Sequence, residues 1–287
     1  MSRLSGTAVI TGAGSGIGRA LTDLASERGF DLALFDINGE ELEESAGVAR
    51  GRGVKVTTRV VDVADEGAVR QGAEEIAQEH GTVSLLINNA GVALGGYFED
   101  YSSEDFRWLM EINFFGVVNM TRAFMPLLQK HRPHAHIVNI SSIFGVIAPM
   151  GQTAYSASKF AVRGFSEALR HELEDSHIGV TVVHPGGVST NIAKRAKITA
   201  VLSEEELKEA QERARKALKM PPPRAAQLLL DAAERGDKRL IVGSDGRMLA
   251  AIQRAFPVSY WEIMKRMPGL APASRKPGDM MKDQAAE

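Results

Sequence analysis

Thr11-Gly-Ala-Gly-Ser-Gly-Ile-Gly18 is the stretch on which the reading of this 287-residue chain turns. It follows a short apolar run, Thr7-Ala-Val-Ile-Thr11, that reads as a buried strand. It opens an amphipathic run from Gly16 to Arg28 that reads as a helix. Glycines at a strand-to-helix turn let the backbone approach a ligand closely. The helix N-terminus behind them presents N–H donors and the positive end of a dipole. Gly12, Ser15, Gly16, Ile17 and Gly18 are therefore candidate contacts for a pyrophosphate. The plain alternative is a Gly-rich turn with no ligand. The spacing is T-G-x-x-x-G-x-G and not G-x-G-x-x-G: counted from Gly12 or Gly14, the last glycine of that pattern falls on Ile17 or Arg19.

Outward from this turn, short apolar runs alternate with longer amphipathic ones. Strands are expected at Asp31–Asp36, Val54–Val61, Val83–Asn88, His136–Ser141, Gly179–His184 and Arg239–Val242. Helices are expected at 40–50, 65–79 (with Asp65 as N-cap), 103–130 and 154–175. Such alternation predicts an α/β fold: a doubly wound parallel sheet covered by helices on both faces. Ligands of such sheets bind at the carboxyl ends of the strands. One catalytic domain is expected over 1–245, including a substrate loop at 189–220 with a charged helix over 204–219. A C-terminal helical extension at 246–270, broken by Pro257, packs on the core or acts as a lid, and 271–287 form a flexible tail.

Composition narrows the functions. A formal charge of -2 gives no global pull toward nucleic acid. The absence of cysteine removes disulfides, thiol nucleophiles, Fe–S clusters and thiolate zinc sites. His131, His134 and His136 read as solvated loop or strand-end residues without acidic or Cys co-ligands, so no metal site is expected. No run of about 18 uncharged apolar residues and no secretory h-region is visible. A cytoplasmic location and no integral membrane segment are expected.

Asp36 ends the second strand 20 residues after Gly16. A carboxylate there binds the ribose hydroxyls of an adenosine and repels a 2′-phosphate. With Ile37 next to it in place of Arg, and no basic residue at Ser15, the expectation is NAD over NADP. Asp62 and Val63 close the third strand where an adenine edge can sit; a turn or capping role for Asp62 is the alternative.

Tyr155 and Lys159 stand four apart, on one face of a helix. A phenol with pKa about 10 is too weakly acidic to act as a base near neutrality. Nearby positive charge favours phenolate. Lowering it by about 3 units takes about 4 kcal/mol, which Lys159 and a positive nicotinamide ring are expected to supply.

Four motifs in order resemble the short-chain dehydrogenase/reductase family across about residues 5–245: Thr11 to Gly18, Asn88-Asn-Ala-Gly91, Ser142 with Tyr155-Ser-Ala-Ser-Lys159, and Pro185-Gly186. The resemblance implies a Rossmann-like single domain with a C-terminal helical extension, acting as an NAD-dependent oxidoreductase. It implies hydride transfer between NAD(H) and a secondary alcohol or carbonyl, with Tyr155 as general acid/base. Ser142, 13 residues before Tyr155, then hydrogen-bonds the substrate oxygen, and Ser141 is its competitor. Lys159 binds the nicotinamide ribose, and Asn113 sits at a helix distortion that holds a relay water. Asn89, Ala90 and Gly91 support the sheet and contact cofactor. Pro185, Gly186, Val188 and Thr190 meet the nicotinamide. The family's dimers and tetramers imply a homo-oligomer built through helices 103–130 and 154–175. An apolar run at 143–150, with Val92, Leu94, Tyr97 and Phe98, motivates a hydrophobic small-molecule substrate. The alternatives are an NADP-dependent carbonyl reductase and a non-catalytic NAD-sensing protein.

Overall fold

A computed structural model describes residues 4–192, 195–198 and 218–267. The elements run β1 (Thr7–Thr11), α1 (Gly16–Glu27), β2 (Asp31–Asp36), α2 (Gly39–Arg50), β3 (Val56–Val60), α3 (Glu66–His80) and β4 (Leu85–Asn88). A two-residue strand β5 (Leu94–Gly95) precedes α4 (Ser103–Met110), a π-turn (Glu111–Phe115) and α5 (Gly116–Lys130). Then come β6 (Ala135–Ile140), α6 (Thr153–Glu172), β7 (Ile178–Pro185), a two-residue strand β8 (Lys197–Ile198) and α7 (Pro222–Arg235). The chain closes with β9 (Arg239–Val242), α8 (Ser244–Ala255) and α9 (Tyr260–Met264).

Seven strands form one parallel sheet in the order β3-β2-β1-β4-β6-β7-β9. The expected doubly wound, Rossmann-like architecture is therefore present. The two-residue alternation of a strand builds both cores. Ala8 and Ile10 of β1, with Leu32 and Leu34 of β2, join the cluster under α1, α2 and α7. Val9, Ala33 and Phe35 join the cluster under α3 and α5. Phe35 meets Phe124 edge-on at 5.7 Å. Over Phe35, α3 comes so close that a Cβ on Gly72 would stand 2.8 Å from the ring. Because β2 and β4 lie on opposite sides of β1, their connections leave toward opposite faces, and a crevice opens at the carboxyl ends of β1 and β4.

Some expectations differ from the structure. The helix that periodicity predicts over 103–130 is interrupted by the π-turn at Glu111–Phe115, a distortion at Asn113 that the family resemblance implied and that hydrophobic periodicity does not mark. β5 and β8, which pair with each other, were not expected: two residues carry no alternation. β3 starts at Val56 and α6 ends at Glu172, inside the predicted limits. Pro257 lies in the turn between α8 and α9, as its lack of an N–H requires. Residues 201–217, with most of the expected charged helix, and the tail from 268 lie outside the described residues; Leu218 and Lys219 are not helical. No described helix is long and apolar enough to cross a membrane.

Candidate active site

The glycine turn sits at the crevice. Gly12 and Gly16 adopt φ of 63° and 53°, a region that L side chains avoid. Gly18 packs against the turn it follows: a Cβ there would overlap the Gly12 carbonyl and stand 2.7 Å from Asn89 Nδ2. The helix behind the turn is left open electrostatically. Helices α2, α3 and α4 are capped by Asn38, Asp65 and Ser102, with acidic residues in their first turns. Ser15, the N-cap of α1, makes no side-chain cap, and the first turn of the helix holds no acidic residue. The first N–H groups of α1 thus face the crevice without an internal anion.

Asp36 is fixed beside this turn. Its two oxygens accept the N–H groups of Gly14 (2.8 Å) and Asn38 (2.9 Å), which orients the carboxylate. Asp62 Oδ1 accepts the Ala64 N–H at 2.9 Å, so it shapes a turn. Val63 is held from α5: Asn119 Nδ2 donates to its carbonyl at 3.1 Å, and a Cβ on Gly116 would come within 2.6 Å of it.

The Asn89–Gly91 segment latches onto β1. Thr11 Oγ1 accepts the N–H groups of Asn89 and Ala90, both at 2.9 Å. Asn89 Nδ2 donates to the carbonyls of Thr11 (2.9 Å) and Gly12 (3.2 Å). Asn113, fully buried in the π-turn, clasps Val92 with both ends of its amide: Oδ1 accepts the Val92 N–H at 2.8 Å and Nδ2 donates to its carbonyl at 3.0 Å. Gly91 lies close to this clasp, where a Cβ would be 3.1 Å from Asn113 Oδ1 and 3.3 Å from Lys159 Nζ.

Ser142 and Tyr155 are both partly accessible; the Ser142 hydroxyl accepts the Phe144 N–H at 3.1 Å and lies near enough to the phenol to hold its pKa down. Ser141 is buried and donates to the Lys159 carbonyl at 2.8 Å, tying β6 to α6. That leaves Ser142 as the hydroxyl facing the crevice. The buried Lys159 ammonium lies 5.6 Å from the Tyr155 ring centroid and donates to the Ile140 carbonyl at 3.3 Å. Electrostatics here depart from the sequence reading. Burial pushes the Tyr155 phenol up to about 12, with Ser142 opposing, while burial pushes Lys159 down to about 8. Desolvation is the larger influence on the phenol and Ser142 the opposing one, so the phenol is protonated at neutral pH.

The loop after β7 closes the crevice from above. Thr190 lies against Gly16, where a Cβ would stand 3.3 Å from its side chain. Gly187 and Val188 pair with Lys219 and Met220, so the segment that leaves at Thr190 returns beside its own start. Arg195 forms an ion pair with Glu41 of α2, and Lys197 one with Asp105 of α4.

The apolar wall differs from expectation. Ile143, Val146 and Ile147 are buried against Leu249 and Met264 of α8 and α9, away from a free cavity. Phe98 is 68% exposed. Of the expected wall, Val92, Leu94 and Phe144 do lie around Tyr155, Phe144 edge-on at 6.1 Å, and Leu109 and Phe106 join them. His136 is fully buried and bonded to Thr181 at 2.7 Å, which corrects its reading as a solvated residue. Thr11, Asn119 and the buried His184, whose Nδ1 meets the Ser142 carbonyl at 2.9 Å, are supports that the sequence reading missed. Each is an ordinary strand or helix residue by pattern, and only contact reveals its role.

A doubly wound parallel sheet with a glycine cradle at its switch point defines a dinucleotide-binding fold. Residues 6–200 match the short chain dehydrogenase family model, and the chain belongs to that family. It is 39% identical to the oxidoreductase SadH of Mycobacterium tuberculosis over 92% of this chain and 96% of that protein. It is 40% identical to the 3-ketodihydrosphingosine reductase of Bacteroides thetaiotaomicron over 69% of this chain and 70% of that protein. A solved short chain dehydrogenase/reductase from Burkholderia phymatum, in complex with NAD, superposes with a TM-score of 0.82 at 29% identity. The match covers 96% of this chain and 100% of that one. The chain is thus an oxidoreductase of this family.

Proposed function

We propose that the protein transfers a hydride between NAD(H) and an apolar secondary alcohol or ketone, with Tyr155 exchanging the proton. The observation that carries this reading is the meeting of the Ser142 and Tyr155 hydroxyls beside buried Lys159, at the mouth of the glycine cradle. The cradle fits a dinucleotide: Gly14 and Gly18 leave no room for a Cβ, and Asp36 presents an oriented carboxylate. Gly12, Ser15, Gly16, Ile17 and Gly18 hold the pyrophosphate, Asp36 the adenosine ribose, and Asp62 and Val63 the adenine edge. Asn89, Ala90 and Gly91 line the crevice floor, Tyr155 and Lys159 reach the nicotinamide ribose, and Pro185, Gly186, Val188 and Thr190 face the nicotinamide. When bound, that cofactor supplies or accepts the hydride.

The chain's own residues manage the oxygen. Ser142 donates to the substrate oxygen and orients it. The protonated phenol gives its proton to the developing alkoxide in reduction, and the phenolate takes the hydroxyl proton in oxidation. Asn113 holds the Val92 turn, and with it the floor under that proton path. The apolar side chains around Tyr155 support an apolar substrate, as does the name of the Bacteroides relative, a reductase of a lipid ketone. A homo-oligomer joined through 103–130 and 154–175 completes the reading. Support comes from Phe115 and Phe160, which are 44% and 40% exposed on these helices, and from an apolar groove of about 540 Å³ lined by Met150, Phe160 and Trp261.

The test is NADH consumption with a panel of ketones graded from polar to steroid-sized, with Tyr155→Phe as control. Turnover on apolar ketones that disappears in the control supports the proposal. NADH binding without turnover on any ketone or alcohol would favour an NAD-sensing protein.

A further inference from the structure

Two loops of the candidate site are held by the same C-terminal segment. α8 begins after Gly243, which has no side chain to cap it. Asp245, in its first turn, sits where a helix dipole favours a carboxylate. That carboxylate does not cap its own helix. Its Oδ2 instead accepts the Gly187 N–H at 2.7 Å. It lies flush against the loop backbone, since a Cβ on Gly186 would meet Oδ2 at 2.5 Å, and a Cβ on Gly243 would overlap Oδ1. The Gly186 N–H donates to the Val242 carbonyl at 2.9 Å, and the Gly187 carbonyl accepts from Lys219 and Met220 at 3.0 Å. The loop that follows β7 is therefore clamped at Gly186–Gly187, three residues before Thr190 rests on Gly16. The same segment reaches the other side of the site through a different residue: Tyr260 Oη accepts the Ala148 N–H at 3.1 Å, in the stretch that follows Ser142.

We infer that Asp245 is a positioning residue for the cofactor, acting through Gly187 on the loop that faces the nicotinamide. Among the described residues the carboxylate is the one side-chain acceptor of that loop's N–H groups, and it is anchored on a helix and not on another loop. A hydrogen bond to a charged acceptor contributes more than a neutral one, so removing it frees the loop to sample positions in which Val188 and Thr190 no longer meet the cofactor. This inference rests on the nicotinamide reading given above.

The experiment is an NADH titration by fluorescence on the full-length chain, comparing the wild type with Asp245→Ala, Asp245→Asn and Tyr260→Phe. Asp245→Ala is expected to weaken NADH binding about tenfold, which is about 1.4 kcal/mol. Asp245→Asn keeps an acceptor without the charge and is expected to lose about threefold. Tyr260→Phe, from the same segment, is expected to bind NADH as the wild type does. Wild-type affinity in Asp245→Asn and Asp245→Ala overturns the inference, and so does an equal loss in Tyr260→Phe, which would make the effect one of general packing. If Asp245→Ala does not fold, Asp245→Asn decides. A wild type that binds no NADH overturns the cofactor reading itself, a result distinct from wild-type binding that the Asp245 variants leave untouched.

Discussion

Tyr155 has a hydroxyl near Ser142 and a pKa driven up by burial, so its chemistry depends on one oxygen atom. Tyr155→Phe removes that oxygen and keeps the ring against Phe144. Turnover is expected to fall by at least about a hundredfold, the usual contribution of a placed acid, with NADH affinity retained. Steady-state kinetics beside an NADH titration check this; loss of both together would point to a structural role. Asp36 predicts a second outcome. Its carboxylate is oriented by the N–H groups of Gly14 and Asn38. Asp36→Ala is expected to shift the ratio of kcat/KM for NADH over NADPH toward NADPH by tenfold or more, on the scale of about 1.4 kcal/mol. An unchanged ratio would reject the assignment of NAD preference. Gly18→Ala forces a methyl into the Gly12 carbonyl and is expected to destabilise the fold by about 1–3 kcal/mol, read as a lower urea midpoint, while weakening NADH binding.

At the scale of elements, polar side chains fasten strands to helices around the crevice. Asn88 on β4 donates to Thr121 of α5 (3.1 Å) and Asn139 of β6 (2.8 Å), and Asn139 donates to Ser166 of α6 (2.9 Å). The π-turn delivers Asn113 to Val92 in the same way. Asn113→Ala leaves the partly buried Val92 N–H and carbonyl without these partners, an expected cost of about 1 kcal/mol. It is also expected to lower kcat more than it raises the KM for NADH, because the adenosine end of the cradle does not depend on it. A change confined to KM would contradict that division. These fasteners explain what was legible beforehand. The glycines from Gly12 to Gly18 declare themselves by their spacing behind a strand, and Tyr155 and Lys159 by theirs within one helix. Asn119, His184 and Asp245 act across elements far apart in the chain, where no local pattern marks them.

The whole molecule carries a pH dependence through its buried histidines. Burial holds His136 at about 3 and His184 at about 4. In the unfolded chain both titrate near 6.5. Below that value the unfolded state takes up protons that the folded state refuses. Stability is therefore complete above about pH 6.5 and falls as pH drops, by up to about 1.4 kcal/mol per pH unit for each histidine, until the folded pKa is reached. Urea midpoints measured from about pH 7.5 down to about pH 5 should decline, and His136→Gln should flatten the slope. An unaltered slope in that variant would remove His136 as a cause. For assembly, light scattering is expected to give a dimer or tetramer mass, and a charge placed at Phe160 is expected to lower it.

Sequence by itself determined the parallel sheet, the glycine turn and the Tyr155–Lys159 pair. Each rests on short-range spacing: alternation buries a strand on both faces, and positions four apart share a helix face. Tertiary structure decided which serine faces the crevice, because Ser141 and Ser142 are neighbours in sequence and only the packing of α6 on β6 turns Ser141 inward. It decided the proton state of Tyr155 as well. The sequence puts a lysine nearby, but desolvation depends on everything packed around the phenol, and here it raises the phenol against the opposing Ser142.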